Sequence, residues 1–158
     1  LIVVSDASPI LNLSAVGKLG LLRNLYSQIV VPPAVQRELS RNGIDLDASW
    51  MRVVAAQDQN EFAALRELLD PGEAEAIVVA VEAAAGLVLI DEKRGRRVAI
   101  ERGLEVTGLL GVLAEAKAPG PLSQVPANSS LDDMMHVAGF WIGDDLRARY
   151  LRNLNELD

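Results

Sequence analysis

The hydrophobic positions of this chain alternate between short dense runs and longer stretches with helical spacing. Leu1-Ile2-Val3-Val4-Ser5 is an unbroken run rich in β-branched residues, as expected of a strand buried on both faces of a parallel sheet. It stops at Asp6, and Ala7-Ser8-Pro9 turns into a helical pattern. Ile10, Leu11, Leu13, Val16, Leu19, Leu22 and Leu25 follow, interrupted at Gly17 and Gly20, which predicts two short helices over 9–25. Gln28 to Val31 reads as a second strand. Pro32-Pro33 opens a helix through about Leu39, because proline is well accommodated in a first turn. After a loop over 40–49, Met51 to Ala55 predicts a short edge strand and Asn60 to Leu69 a helix.

Asp70-Pro71-Gly72-Glu73 is a helix start, with Asp as the cap, Pro at the first position and Glu at the third. The helix it opens, Ala74 to Ala85, is apolar nearly all round and is therefore expected to be buried. Leu87 to Ile90 is another apolar strand, ending in Asp91. A basic helix (Lys93 to about Arg102), a last strand (Leu104 to Thr107) and a helix over 109–117 follow. Pro119 to Pro126 reads as a linker, with two more helices expected over 130–138 and 143–154. Strands alternating with helices indicate an α/β domain with a mainly parallel sheet of four to five strands. The expected organisation is one domain over 1–118, then a linker and helical extension over 119–158 packed on it.

Composition narrows the function. Half of the 158 residues are apolar, which supplies a core and excludes a disordered tail. Ala74 to Ile90 comes nearest to the ~20 apolar residues of a membrane helix, but Glu75, Glu82 and Gly86 interrupt it. With no cysteine and only His136, there is no thiolate site and no multi-imidazole site. The N-terminus shows no basic segment followed by a cleavage site, which predicts a cytoplasmic protein. A net charge of −7 argues against holding nucleic acid by counterion release, and the aromatics (2 each of Phe, Trp and Tyr) leave little for base stacking. A cluster of carboxylates that needs a metal is the other source of such a balance.

Ligands of open α/β sheets bind outside the carboxyl ends of the strands, and here two strands end directly in an acid, Asp6 and Asp91. Either could simply cap the helix that follows. Together, in a chain without cysteine, they point to an oxygen-ligand site for Mg²⁺ or Mn²⁺. Glu38, beside Val35 and Leu39, and Glu73 fit the same rim. Glu73 heads the stripe 73, 76, 77, 80, 81 and 84 that is expected to pack on the sheet, whereas Glu75 shares with Glu82 the side expected to be wet.

Four segments in order resemble one family: Val3-Val4-Ser5-Asp6-Ala7-Ser8-Pro9-Ile10-Leu11-Asn12, Val31-Pro32-Pro33-Ala34-Val35-Gln36-Arg37-Glu38-Leu39, Gly72-Glu73-Ala74-Glu75-Ala76-Ile77 and Leu89-Ile90-Asp91-Glu92-Lys93-Arg94-Gly95-Arg96-Arg97. They resemble the PIN domain, and within it a prokaryotic VapC-like subgroup, over about residues 2–118; Gly139-Phe140-Trp141-Ile142 is similar to the same subgroup. The resemblance implies a three-layer α/β/α nuclease fold and an acidic, divalent-metal-dependent ribonuclease site. It places catalytic, metal-holding acids at Asp6, Glu38, Glu73 and Asp91, with Glu75 an alternative third ligand and Ser8 as the hydroxyl that orients Asp6. The threonine usual two residues before the last acid is Leu89 here.

Converging carboxylates repel one another and raise their own pKa values unless a cation neutralises them. A divalent cation can lower the pKa of a water for attack on phosphorus and stabilise the leaving oxygen. The basic cluster Lys93, Arg94, Arg96, Arg97 and Arg102 begins two residues after Asp91, and Arg94, Arg96 and Arg97 are candidates for RNA phosphates. Its plainer reading is a solvated helix face; His136, Asp144 and Asp145 are read as surface or capping residues. The expected function is a metal-dependent endoribonuclease acting on RNA, the toxin of a toxin–antitoxin pair. The resemblance leaves room for a small antitoxin protein and for a homodimer as partners. The alternatives are a non-catalytic PIN-fold scaffold whose acidic rim takes a partner's arginine and, less well supported, a phosphatase with Asp6 as nucleophile, which Ser8 disfavours by standing where a second Asp is needed.

Overall fold

The β-branched run at the N-terminus becomes the middle of a sheet. In the computed structural model, which describes residues 1–15 and 17–117, β1 (Val3–Ser5) pairs in parallel with β2 (Ile29–Val31) and β4 (Leu87–Leu89). β3 (Met51–Val53) adds to β2, and β5 (Val106–Thr107) adds to β4, again in parallel. The five strands run in the order β3-β2-β1-β4-β5. A buried central strand has neighbours on both edges and both faces, which is why Val3, Val4 and Ser5 are all buried. The strands are one or two residues shorter than their apolar runs, because residues such as Leu1 and Ile2 continue past the last ladder partner into water.

The helices are α1 (Ala7–Ala15), α2 (Gly20–Tyr26), α3 (Pro33–Arg41), α4 (Gln59–Arg66), α5 (Pro71–Glu82), α6 (Lys93–Glu101) and α7 (Leu109–Lys117). Alternate strand residues point to opposite faces. Val4, Val88 and Ile90 meet Leu65, Leu69, Ile77, Val79, Val98 and Ala99, so α4, α5 and α6 cover one face. Val3, Val31 and Leu89 point the other way, where Ile10, Leu13 and Leu22 of α1 and α2 are also buried. This is the expected three-layer α/β/α arrangement, and its sheet is wholly parallel. The order reverses at the middle: the chain steps from β1 outward to β2 and β3, then returns to the other side of β1 as β4. A crevice at such a switch point, at the carboxyl ends of β1 and β4, is where an α/β sheet takes its ligands.

The compact unit just described spans Leu1–Leu109, and a second begins at Leu110. Of the second, residues 110–117 are described, as the body of α7. The linker over 119–126, the helices expected over 130–138 and 143–154, the segment 139–142, His136, Asp144 and Asp145 lie outside the described residues. Among the described residues no helix is long and apolar enough to cross a membrane.

α5 departs from its expected stripe in an informative way. Every residue from Gly72 to Ala80 is buried, Glu75 included, because α3, α4 and α6 as well as the sheet pack around it. Glu75 is 4% exposed, so the reading of its side as wet is corrected; the helix has no wet side until Val81, which is 49% exposed. Glu82, by contrast, is exposed and accepts from the Gln57 and Asp58 backbone N–H groups at 2.9 and 2.8 Å. Ile77→Ala, at the fully buried middle of α5, should cost about 2–5 kcal/mol in denaturant unfolding, whereas Val81→Ala should cost under ~1 kcal/mol. Similar losses at both positions would contradict the packing described.

Candidate active site

The register of β1 on β4 places Ser5 beside Leu89, and the Asp6 N–H donates to the Leu89 carbonyl at 3.0 Å. The last hydrogen bonds of the two central strands therefore deliver Asp6 and Asp91 to the same edge. Asp6 is 3% exposed, and its Oδ1 is buried without a hydrogen-bond donor. Burial pushes its pKa well above the ordinary carboxylate range; the Ala7 N–H opposes this, and the charges of Asp70, Glu73 and Glu38 add to it. Asp6 thus senses three other acids, one of which, Asp70, sequence reading treats only as a cap. Asp70 does cap α5, its Oδ1 accepting from the Glu73 N–H at 2.8 Å.

Gly72 explains how Asp6 and Glu38 approach each other. A methyl group built there would stand 2.9 Å from Asp6 Oδ1 and 3.4 Å from Glu38 Oε2, so the two carboxylates flank one point that only glycine leaves open. Glu38, half-buried on α3, has its pKa raised by desolvation and by Asp70, with Arg41 pulling the other way. The neighbouring Glu73 turns toward α6 instead: a methyl on Gly95 would lie 2.8 Å from its Oε1. That oxygen is also buried and unpartnered. Desolvation first, then the charge of Asp70, raises the Glu73 pKa to about 7.

Asp91 and Glu75 are acids of a different kind, with protein donors on their oxygens. Asp91 Oδ1 accepts from the Leu109 N–H at 2.6 Å, and Oδ2 accepts from Asn12 Nδ2 at 3.4 Å. Asp91 does hold a helix start, then: that of α7. Glu75 Oε1 accepts from the Ala34 N–H in the first turn of α3 at 2.8 Å. Ser8, half-buried in α1, makes no hydrogen bond to Asp6 among the described residues; the adjacent Ser5 hydroxyl donates to the Asp6 carbonyl at 2.8 Å.

The basic cluster divides as well. Arg96 Nη1 donates to the Asp91 carbonyl at 2.7 Å, placing a cation on the rim of the site. Arg94 is exposed and reaches the Leu68 carbonyl at 3.2 Å, and Arg97 is exposed. Arg102 is taken up by Glu61 at 2.8 Å, which removes it from the candidates for substrate. Asn12 and Asp70 are the residues that sequence reading missed. The first carried a signal only as part of the segment that follows Asp6, and the second was hidden by its capping role.

Carboxylate oxygens are the donor set a hard divalent cation prefers, and the orphaned oxygens of Asp6 and Glu73 fit one chemically. Among the described residues no three acids stand close enough to hold one ion together as they are arranged. A family model described as a PIN domain matches residues 2–156. Among solved structures, a PilT N-terminus domain protein of the hyperthermophilic archaeon Sulfolobus solfataricus P2 is similar, at 25% identity and a TM-score of 0.57, over 73% of this chain and 93% of that one. No curated protein matches the chain.

A buried acid whose folded pKa exceeds its unfolded one binds an extra proton in the folded state, so stability falls as pH rises between the two values. For Glu73 this window runs from the ordinary 4.5 to about 7. Below it the penalty is absent, and above it the penalty is complete. Glu73→Gln should therefore raise the stability of the metal-free protein at pH 8 by on the order of 1–3 kcal/mol, and much less at pH 4.5. Thermal melts at the two pH values check this; a loss of stability at pH 8 would show that the Glu73 charge is compensated in the fold.

Proposed function

The chain belongs to the PIN-domain family, a family of nuclease fold, and from that premise we propose that it is a metal-dependent endoribonuclease hydrolysing phosphodiester bonds in RNA. The observation that carries this reading is the pair of buried carboxylate oxygens, Asp6 Oδ1 and Glu73 Oε1, that no protein donor satisfies. Leaving them so is costly, and a cation removes the cost. Mg²⁺ or Mn²⁺ would be held by Asp6, Glu38 and Glu73. Asp91 would join them through the oxygens it now offers to Leu109 and Asn12. When bound, such an ion neutralises the phosphate and activates water for attack at phosphorus.

The chain's own groups would do the rest. Asp6 is fixed by the β1–β4 ladder and cannot drift from the edge. Arg96 steadies the Asp91 peptide, and the exposed Arg94 and Arg97 extend the positive rim along which an RNA backbone would lie. A cation site flanked by these arginines draws phosphate locally, against a net charge of −7. Within this reading the chain is the toxin of a toxin–antitoxin pair, cytoplasmic, with a small antitoxin protein or a second copy of itself as partner. A second reading, a non-catalytic scaffold, draws support from the lack of a three-acid cluster among the described residues. There a partner's guanidinium would satisfy the orphaned oxygens.

A labelled RNA pool incubated with Mn²⁺ separates the two. Asp6→Asn should cut on the order of 100-fold more slowly than wild type, or worse, while binding RNA at least as well, because the carboxylate repels phosphate until an ion bridges them. Arg94→Ala and Arg97→Ala should each weaken binding and flatten its log–log salt dependence by roughly one unit per lost contact. Cleavage by Asp6→Asn at the wild-type rate would remove the nuclease reading and leave the scaffold.

A further inference from the structure

α3 begins without the means to cap itself. Its N-cap is Pro32, which has no side-chain acceptor, and Pro33 at the first position has no N–H. The first donor of the helix is therefore the Ala34 N–H, and in a buried turn it must find an acceptor elsewhere. It finds Glu75 Oε1 at 2.8 Å, a carboxylate from α5, far along the chain, that is itself only 4% exposed. The pairing suits both partners: the helix start carries partial positive charge, and among the described residues the acid accepts from no other donor. One turn further along α3 stands Glu38, whose carboxylate meets Asp6 across Gly72, with Val35 Cγ2 also 3.4 Å from that point.

We propose that Glu75 is a positioning residue: by capping α3 from α5 it fixes the register in which Glu38 is presented to Asp6, and it is not itself a ligand of the ion. The inference deepens the metal-dependent reading above and rests on it for its effect on activity. Its structural half stands apart, since the register of α3 on α5 can be read with no metal and no RNA. The capping role also accounts for two acids in Gly72-Glu73-Ala74-Glu75: successive residues of a helix point about 100° apart, so 73 and 75 reach different partners. Glu73 faces Gly95 on α6, and Glu75 faces α3.

The test compares Glu75→Gln, Glu75→Ala and the double variant Glu75→Ala/Pro32→Ser with wild type. Amide exchange at Ala34 and the contact between the Val35 methyl and Gly72, seen by NMR, report the register. Mn²⁺ calorimetry and the kcat and KM of RNA cleavage report its consequence. Gln keeps an acceptor oxygen, so Glu75→Gln should stay within about 3-fold of wild type in Mn²⁺ affinity and kcat. Glu75→Ala should exchange faster at Ala34, lose the Val35–Gly72 contact, and lose roughly 10-fold or more in Mn²⁺ affinity and kcat with KM little changed. Pro32→Ser restores a local cap and should recover most of that loss without restoring a carboxylate at 75.

Loss of Mn²⁺ binding in Glu75→Gln as complete as in Asp6→Asn would overturn the proposal by making Glu75 a ligand. Wild-type Mn²⁺ affinity and kcat in Glu75→Ala, despite fast exchange at Ala34, would overturn it by leaving only a structural cap. A wild type that neither binds Mn²⁺ nor cleaves RNA would be the failure of the nuclease reading instead. In that case an intact Val35–Gly72 contact in Glu75→Ala would still refute the register role, and its loss there would uphold it.

Discussion

Asp6 and Glu73 are held out of water at the edge of a parallel sheet, each with an oxygen that meets no donor. A buried, unpaired carboxylate is among the most expensive groups a fold can contain, and it persists only where the surroundings overdetermine it. Here the surroundings are the β1–β4 ladder, which sets Asp6 by a backbone hydrogen bond, and α5, whose capped first turn sets Glu73. The glycines at 72, 95 and 108 mark where the acids sit, since a methyl at each would come within 3.0 Å of Asp6, Glu73 or Asp91. The core pins these elements, so the acids cannot relax outward without disturbing it.

The acids separate by what already occupies their oxygens. Asp91 and Glu75 hold helix starts, those of α7 and α3, and so tie segments of the chain to the edge. Asp6 and Glu73 each keep one oxygen without a donor, and their raised pKa values have the same leading cause, desolvation. Arg96, donating to the Asp91 carbonyl, is the link between this edge and the basic face of α6. It brings positive charge to the edge of a protein whose net charge is −7.

Much of this was legible in the sequence. Unbroken apolar runs ending in an acid located β1 and β4 and hence Asp6 and Asp91, because a doubly buried strand has no alternation to confuse the reading. The Asp70 cap and the Pro71 start of α5 were equally plain. The error was Glu75. A helical wheel assigns one buried face and one wet face, but α5 is enclosed by three helices and the sheet, so both faces are dry. Its donor, Ala34, is 41 residues away, and local spacing carries no trace of such a bond. The one hint was Pro32-Pro33, a helix start with no cap of its own. The tie of Asn12 to Asp91, across 79 residues, was invisible for the same reason.

On the proposed reading, a divalent cation occupies the space before the orphaned oxygen of Asp6. Anomalous diffraction from crystals soaked in Mn²⁺ addresses it directly, because the signal locates the ion without reference to activity. One dominant peak is expected within coordination distance of Asp6 Oδ1, with Glu38 or Glu73 drawn to the same ion. A dominant peak elsewhere on the molecule, with Asp6 Oδ1 still unliganded at saturating Mn²⁺, would contradict it.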